Sequence, residues 1–167
     1  IIAIKPHYEK AIAAINKCLA NYKNITIGLL PEIYPAGDEV VTIYETTGRI
    51  VPPGSIPISV GVTVFNVETV LNAARMLREA KPVTYKYVTV AGEVKQPCTL
   101  KVPLGMTYGE LIELAGGATC EDAVLIAGGP MTGMIAYKSD VVTKTSNAIL
   151  VMPPHQYIVK KRQTPVG

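Results

Sequence analysis

The sequence predicts an α/β chain built as two small domains. Three observations predict it. A strand, a helix and a second strand follow one another within roughly the first 30 residues. A strongly patterned helix then runs through NVETVLNAARMLREA, and beyond Tyr85 the chain changes to β alternation, a capped helix and another strand.

IIAIK is a short apolar strand. From Pro6 the spacing turns helical, with Tyr8, Ile12, Ile15 and Leu19 on one face and Pro6 suited to the first turn. Asn21–Asn24 breaks that helix, and ITIGLLP makes a second strand ended by Pro31, so a parallel βαβ unit is expected. After PEIYPAGD, the stretch EVVTIYETT (39–47) forms a short helix capped by Asp38 and stopped at Gly48. RIVPPGSIPISVG is an irregular loop, and VTVF a strand fragment. The next helix shows its apolar stripe at Val67, Val70, Leu71, Ala74 and Leu77, with Pro82 ending it.

YKYVTVAGEV and CTLKVPLG alternate as strands around the turn GEVKQP. Thr107, with Glu110 three residues later, starts TYGELIELAGG as a capping box, and the double glycine ends it. AVLIAGG is another strand, and VVTKTSNAILV (141–151) one more that could return to either domain. Hairpin, helix and strand in this order outline a β-grasp domain. The domain boundary is expected near Lys81–Tyr85.

Apolar residues make up 49% of the 167 and charged ones 17%, which supports a buried core and argues against disorder. A net charge of +3, with a basic cluster only at Lys160, Lys161 and Arg162, is too weak and local for nucleic acid; the cluster reads as a solvated tail. Cys18, Cys98 and Cys120 are scattered with no CxxC, so no metal role is assigned; single thiols suit a reducing compartment, where they behave as small buried apolar residues. No apolar run has the length of a membrane span. The opening IIAIK, with no Met, and the closing TPVG suggest a piece of something longer.

AGGPMTGM (127–134) poses the question of a phosphate cradle, which lies between a strand and a helix. A strand precedes it, but MIAYKSDVVTKT has no helical face and no Lys sits as in GxxxxGK[ST], so a tight turn using Gly128 or Gly129 at positive φ is the better reading. YPAGDE sets two carboxylates after Gly37 at a helix start. Its bland role is an N-cap; its functional one is that Gly37 admits a ligand closely while Asp38 or Glu39 bonds a ribose or ribityl hydroxyl. FNVET offers Asn66 as N-cap with Thr69 at N3. Both turns follow carboxyl ends of expected parallel strands, where ligands gather in open α/β sheets. His7 is a surface residue, His155 lies in a proline-rich loop, and neither has metal spacing.

YPAGDE, NVET, VTVAGEV and GGPMTG, in this order and spacing, resemble the C subunit of the Rnf electron-transport complex and the propanediol-utilisation cobalamin reductases, relatives of the complex I flavoprotein subunit. The tail VVTKTSNAILVMPPHQYIVKKR is closer to the reductase branch. The resemblance covers essentially the whole chain and implies a partial Rossmann-like, complex I flavoprotein-type domain followed by a β-grasp (SLBB) domain. It places the second half of a flavin and NADH-binding-like domain at 1–82, the SLBB domain at 83–140, and at 141–167 a strand and tail leading to an iron–sulfur domain absent from this chain.

The function so implied is NADH-dependent electron transfer through FMN and two 4Fe-4S clusters in the parent protein. Gly37, Asp38 and Glu39 match the family's GEE-like turn, with Asp for the first Glu; Asn66, followed by Thr69, matches its asparagine-rich turn, and Phe65 stands where complex I relatives have a second Asn. These five residues would bind cofactor; none is assigned a catalytic role. The glycine-rich flavin-phosphate loop belongs upstream of Ile1 and the cluster cysteines downstream of Gly167, so the piece alone is expected to be inactive. Implied partners are other electron-transfer subunits or a cobalamin enzyme, in the cytoplasm, a bacterial microcompartment or at the cytoplasmic face of a membrane complex. The rival reading is a non-enzymatic module that takes a soluble ligand or docks another protein of such a complex.

Overall fold

The computed structural model describes residues 1–163, so TPVG lies outside the described residues. The chain divides into two compact units, Ile1–Leu71 and Asn72–Gly167.

In the first unit, β1 (Ile2–Ile4) and β2 (Ile27–Leu29) pair in parallel, Ile2 against Ile27, and α1 (Glu9–Leu19) links them. Pro6 precedes α1, which starts at Glu9 with no side-chain cap at Tyr8. α2 (Glu39–Thr47) has the limits its caps dictate: the Asp38 carboxylate accepts from the amides of Val40 and Val41, and Gly48 turns left-handed to donate back to Tyr44. Behind α2, the Arg49 guanidinium donates to the carbonyls of Val60 and Gly61. It thereby fastens a single 3-10 turn, Pro57–Val60, inside the expected irregular loop.

VTVF is not a strand. Its β-branched residues suit one, but a strand is defined by its ladder, and the only parallel pair of this unit is β1 with β2. α3 (Val67–Glu79) follows directly. It closes with Ala80 in the left-handed region at φ 51°, its amide bonded to the Met76 carbonyl, before Pro82 is reached. Its apolar stripe is not buried: Val67, Val70, Leu71 and Leu77 are all exposed.

The second unit carries a five-stranded mixed sheet in the order β4-β3-β7-β5-β6. β3 (Tyr85–Gly92) and β4 (Cys98–Pro103) form the expected antiparallel hairpin. β5 (Val124–Ala127) pairs antiparallel with β6 (Met134–Ala136). β7 (Ala148–Met152) lies centrally, parallel to β3 and antiparallel to β5. The strand expected over 141–151 is thus confined to 148–152. Upstream, the Ser146 hydroxyl accepts from the Thr143 amide and bonds the Tyr108 hydroxyl, and this side-chain turn takes the place of a ladder.

α4 (Tyr108–Leu114) has its capping box: Thr107 Oγ1 accepts from the Glu110 amide, and the Glu110 carboxylate accepts from the Thr107 amide and hydroxyl. Tyr108, Leu111, Ile112 and Ala115, one face at i, i+3, i+4 and i+7, are buried in one cluster with Val88, Val90, Ile149 and Val151 of β3 and β7. A helix laid on a mixed sheet with a parallel central pair is the β-grasp arrangement. The basic tail is not simply solvated: α5 (Tyr157–Gln163) contains Lys160, Lys161 and Arg162 and buries Val159 completely.

AGGPMTGM is a hairpin loop. It joins β5 to β6, with no helix behind it. Gly128 takes φ 104°, Gly129 does not, and Gly133 has no room for a Cβ, which would lie 2.6 Å from the Gly129 carbonyl oxygen. The phosphate-cradle alternative therefore lacks the helix dipole that such a site uses. Of the cysteines, Cys98 and Cys120 are half-buried but Cys18 is exposed on α1, so the expectation of buried thiols fails there.

Candidate functional site

The five candidate residues lie at two helix starts of the first unit. Gly37, Asp38 and Glu39 form the turn into α2, and Asn66 and Thr69 the turn into α3. Only the first follows a strand, because the segment before α3 is coil.

The α2 turn is fixed from both sides. The Tyr34–Pro35 bond is cis, the Asp38 amide donates to the Pro35 carbonyl at 2.7 Å, and the buried Thr42 hydroxyl donates to the Ala36 carbonyl at 3.2 Å. Upstream, Glu32 reaches back across the parallel pair: its carboxylate accepts from the His7 amide at 3.1 Å and meets His7 Nδ1 at 2.7 Å. The loops after β1 and β2 are thereby joined at the carboxyl ends of their strands. Sequence reasoning placed His7 at the surface and passed over Glu32. The two are 25 positions apart, and no local signal pairs them.

Gly37 is the informative position. It has no positive φ, and an added Cβ would meet nothing within 4 Å. The fold itself gives no reason for glycine there. Asp38 uses one oxygen, Oδ1, on the amides of Val40 (3.0 Å) and Val41 (3.4 Å), which satisfies the free N–H groups of α2. Glu39 is exposed and has no hydrogen bond or ion pair among the described residues. In the second turn Asn66 Oδ1 accepts from the Glu68 amide at 2.9 Å, so the cap is real, though it closes on Glu68 rather than on Thr69. That leaves the Asn66 amide NH₂ and the exposed Thr69 hydroxyl facing outward.

The chemistry of this donor set is selective. Two adjacent carboxylates repel a phosphate, and the α2 amides that could bind one are taken by Asp38. Carboxylates accept well from hydroxyl groups, and the second turn carries an amide and a hydroxyl that can donate. In chemistry the side chains of these turns match a polyol's hydroxyl groups, such as those of a ribityl chain, better than a phosphate. No three His, Cys, Asp or Glu side chains gather as a metal site among the described residues.

Residues 1–75 match the family model of the Nuo51 FMN-binding domain, and residues 87–135 that of the SLBB domain. The chain is 47% identical over 163 residues to the cobalamin reductase PduS of Citrobacter freundii, covering 97% of this chain and 36% of that protein. It is 32% identical over 153 residues to the C subunit of the Na(+)-translocating ferredoxin:NAD(+) oxidoreductase complex of Acetobacterium woodii, covering 90% and 34%. The C subunit of the proton-translocating ferredoxin:NAD(+) oxidoreductase complex of Clostridium ljungdahlii is 34% identical over 151 residues, covering 89% and 33%. Among solved structures, the NAD+-reducing [NiFe]-hydrogenase superposes with a TM-score of 0.61 at 22% identity, over 87% of this chain and 30% of that one, which supports the fold. The chain spans about a third of the length of the curated relatives it matches. On these two domain matches and their order, the chain belongs to the family of PduS-type cobalamin reductases and Rnf-type C subunits, with a complex I flavoprotein-type α/β domain followed by a β-grasp SLBB domain.

Proposed function

We propose that the chain is part of a flavin electron-transfer protein and supplies one wall of an FMN site. Gly37 leaves clearance for the flavin, Asp38 and Glu39 accept from its ribityl hydroxyls, and Asn66 and Thr69 donate from the other turn. The observation that supports this best is Gly37, a glycine that neither backbone angle nor packing requires, beside Glu39, which has no partner among the described residues. FMN, when bound, converts between two-electron and one-electron transfer. This chain's residues hold and orient it, and none moves a proton. The remainder of the reading follows the relatives: NADH as donor, two 4Fe-4S clusters as onward carriers in the longer protein, and cobalamin or a membrane-bound complex as acceptor, at a cytoplasmic location. No helix of the described residues is long and apolar enough to cross a membrane, which suits peripheral association with such a complex.

The test is a flavin fluorescence titration. This chain alone is expected to quench FMN weakly or not at all. The longer protein is expected to bind it tightly, and Glu39→Gln there to weaken binding by about tenfold. Tight FMN binding by this chain alone, or an unaffected Glu39→Gln protein, would contradict the proposal.

A second reading, docking or ligand capture by the β-grasp unit, is favoured by one observation: an apolar groove between the β5–β6 hairpin and α5. If the ligand of that unit is cobalamin, adding cobalamin to the chain should give a spectral or thermal shift, and its absence would count against that ligand.

A further inference from the structure

The β5–β6 loop and α5 form a connected piece of surface. Arg162 on α5 donates through Nη2 to the carbonyl oxygens of Met131 at 2.6 Å and Pro130 at 3.3 Å, holding the loop tip against the helix. Val159, one turn earlier on α5, is fully buried and anchors the helix. Beside this contact lies a cleft of about 670 Å³ lined by Pro130, Met131, Met134, Ile135, Tyr157 and Ile158, with Lys161 and Arg162 at its edge.

Three properties of the cleft matter together. Met131, Met134 and Tyr157 are 65%, 73% and 74% exposed, so large apolar groups face solvent side by side where a folded surface gains by covering them. Two of the three are methionines, whose unbranched and polarisable side chains adapt to an incoming apolar group. The charged residues of the lining are both cationic, and no Asp or Glu lines it. The Arg162 guanidinium is already committed to two carbonyls, whereas Lys161 makes no hydrogen bond or ion pair among the described residues. A small polar ligand would find few converging groups here. An amphipathic helix would find an apolar floor for its i, i+3, i+4 and i+7 side chains and a cation for its acidic flank.

We propose that this groove docks an acidic amphipathic helix of a partner protein. The idea rests on the reading that the chain works with electron-transfer partners, but its test does not involve flavin.

The probe is a fluorescein-labelled, helix-forming peptide with leucines at i, i+3, i+4 and i+7 and glutamates flanking them. A twin carries lysines in place of the glutamates. Anisotropy titrations against this chain should show the glutamate peptide binding about tenfold more tightly than the lysine twin at low salt, with the preference shrinking as salt rises. Amide shifts should concentrate at Met131, Met134, Tyr157 and Ile158. Met131→Asp/Met134→Asp should abolish binding. Because both methionines are exposed, the amide spectrum of this variant should otherwise be that of a folded chain. Lys161→Glu should bring the two peptides to similar affinity. Equal binding of both peptides to the unaltered chain, no binding of either, shifts mapping elsewhere, or a concentration-dependent dimer that removes the Met131 and Met134 signals would each overturn the proposal, the last by making a second copy the occupant. FMN affinity in the longer protein is read separately, so loss of the flavin reading and loss of this one are distinguishable.

Discussion

α3 and α4 look alike in sequence and differ in what they bury. Each starts at a side-chain cap, Asn66 or Thr107, and each presents apolar residues at helical spacing. α4 buries Tyr108, Leu111, Ile112 and Ala115 against its sheet; α3 leaves Val67 79% and Leu77 87% exposed. The contrast extends to the two compact units. In Ile1–Leu71 the buried apolar residues are Leu30, Ala36, Ile43 and Val51, whereas in Asn72–Gly167 a connected cluster joins the sheet to α4. Periodicity tells that a helix forms and which face is apolar. It does not tell whether this chain supplies the cover.

The largest expected effect tests that contrast. Ile149→Ala, in central β7 and fully buried, should destabilise the second unit by about 2–5 kcal/mol in urea unfolding, while Leu77→Ala on α3 should stay within about 0.5 kcal/mol. Similar losses at both would mean that α3 is covered after all. Next comes the cap of the first unit: Asp38→Ala should cost about 1 kcal/mol, because two α2 amides lose their acceptor. A smaller, pH-dependent effect belongs to Glu110. The Thr107 hydroxyl, and then the Thr107 amide, hold its carboxyl below the ordinary value of 4.5. A lowered folded-state value stabilises the fold above the ordinary carboxylate range, and this is lost as pH falls through the lowered value. Thermal unfolding should therefore show a shallow acid-side decline that Thr107→Ala flattens. An unchanged acid limb in Thr107→Ala would remove the Thr107 hydroxyl as its source.

These effects also mark what the sequence made legible. α2 and α4 had their limits visible because caps are local: Asp38 binds amides two and three residues on, and Thr107 with Glu110 closes within one turn. Strands fared less well because a strand depends on a distant partner. VTVF had the composition without the ladder, and 141–151 lost its first half to the Ser146 turn. α5 was hidden because its anchors are nonlocal, with Arg162 bonding residues 31 and 32 positions away. At the site, the two turns could be found from glycine, acid and cap residues at helix starts. The Glu32–His7 bridge could not, and neither could the openness of Gly37, which is a property of packing.

Gly37 also offers the most direct test of the flavin claim, because fold and function make opposite demands there. With open space at its Cβ and no positive φ, Gly37→Ala should leave stability unchanged or raise it by about 0.4–1 kcal/mol through the unfolded state. The same substitution in the longer protein should weaken FMN binding by about tenfold or more, read by flavin fluorescence. A more stable protein that binds less flavin is the expected result. A Gly37→Ala protein with full flavin affinity would contradict it.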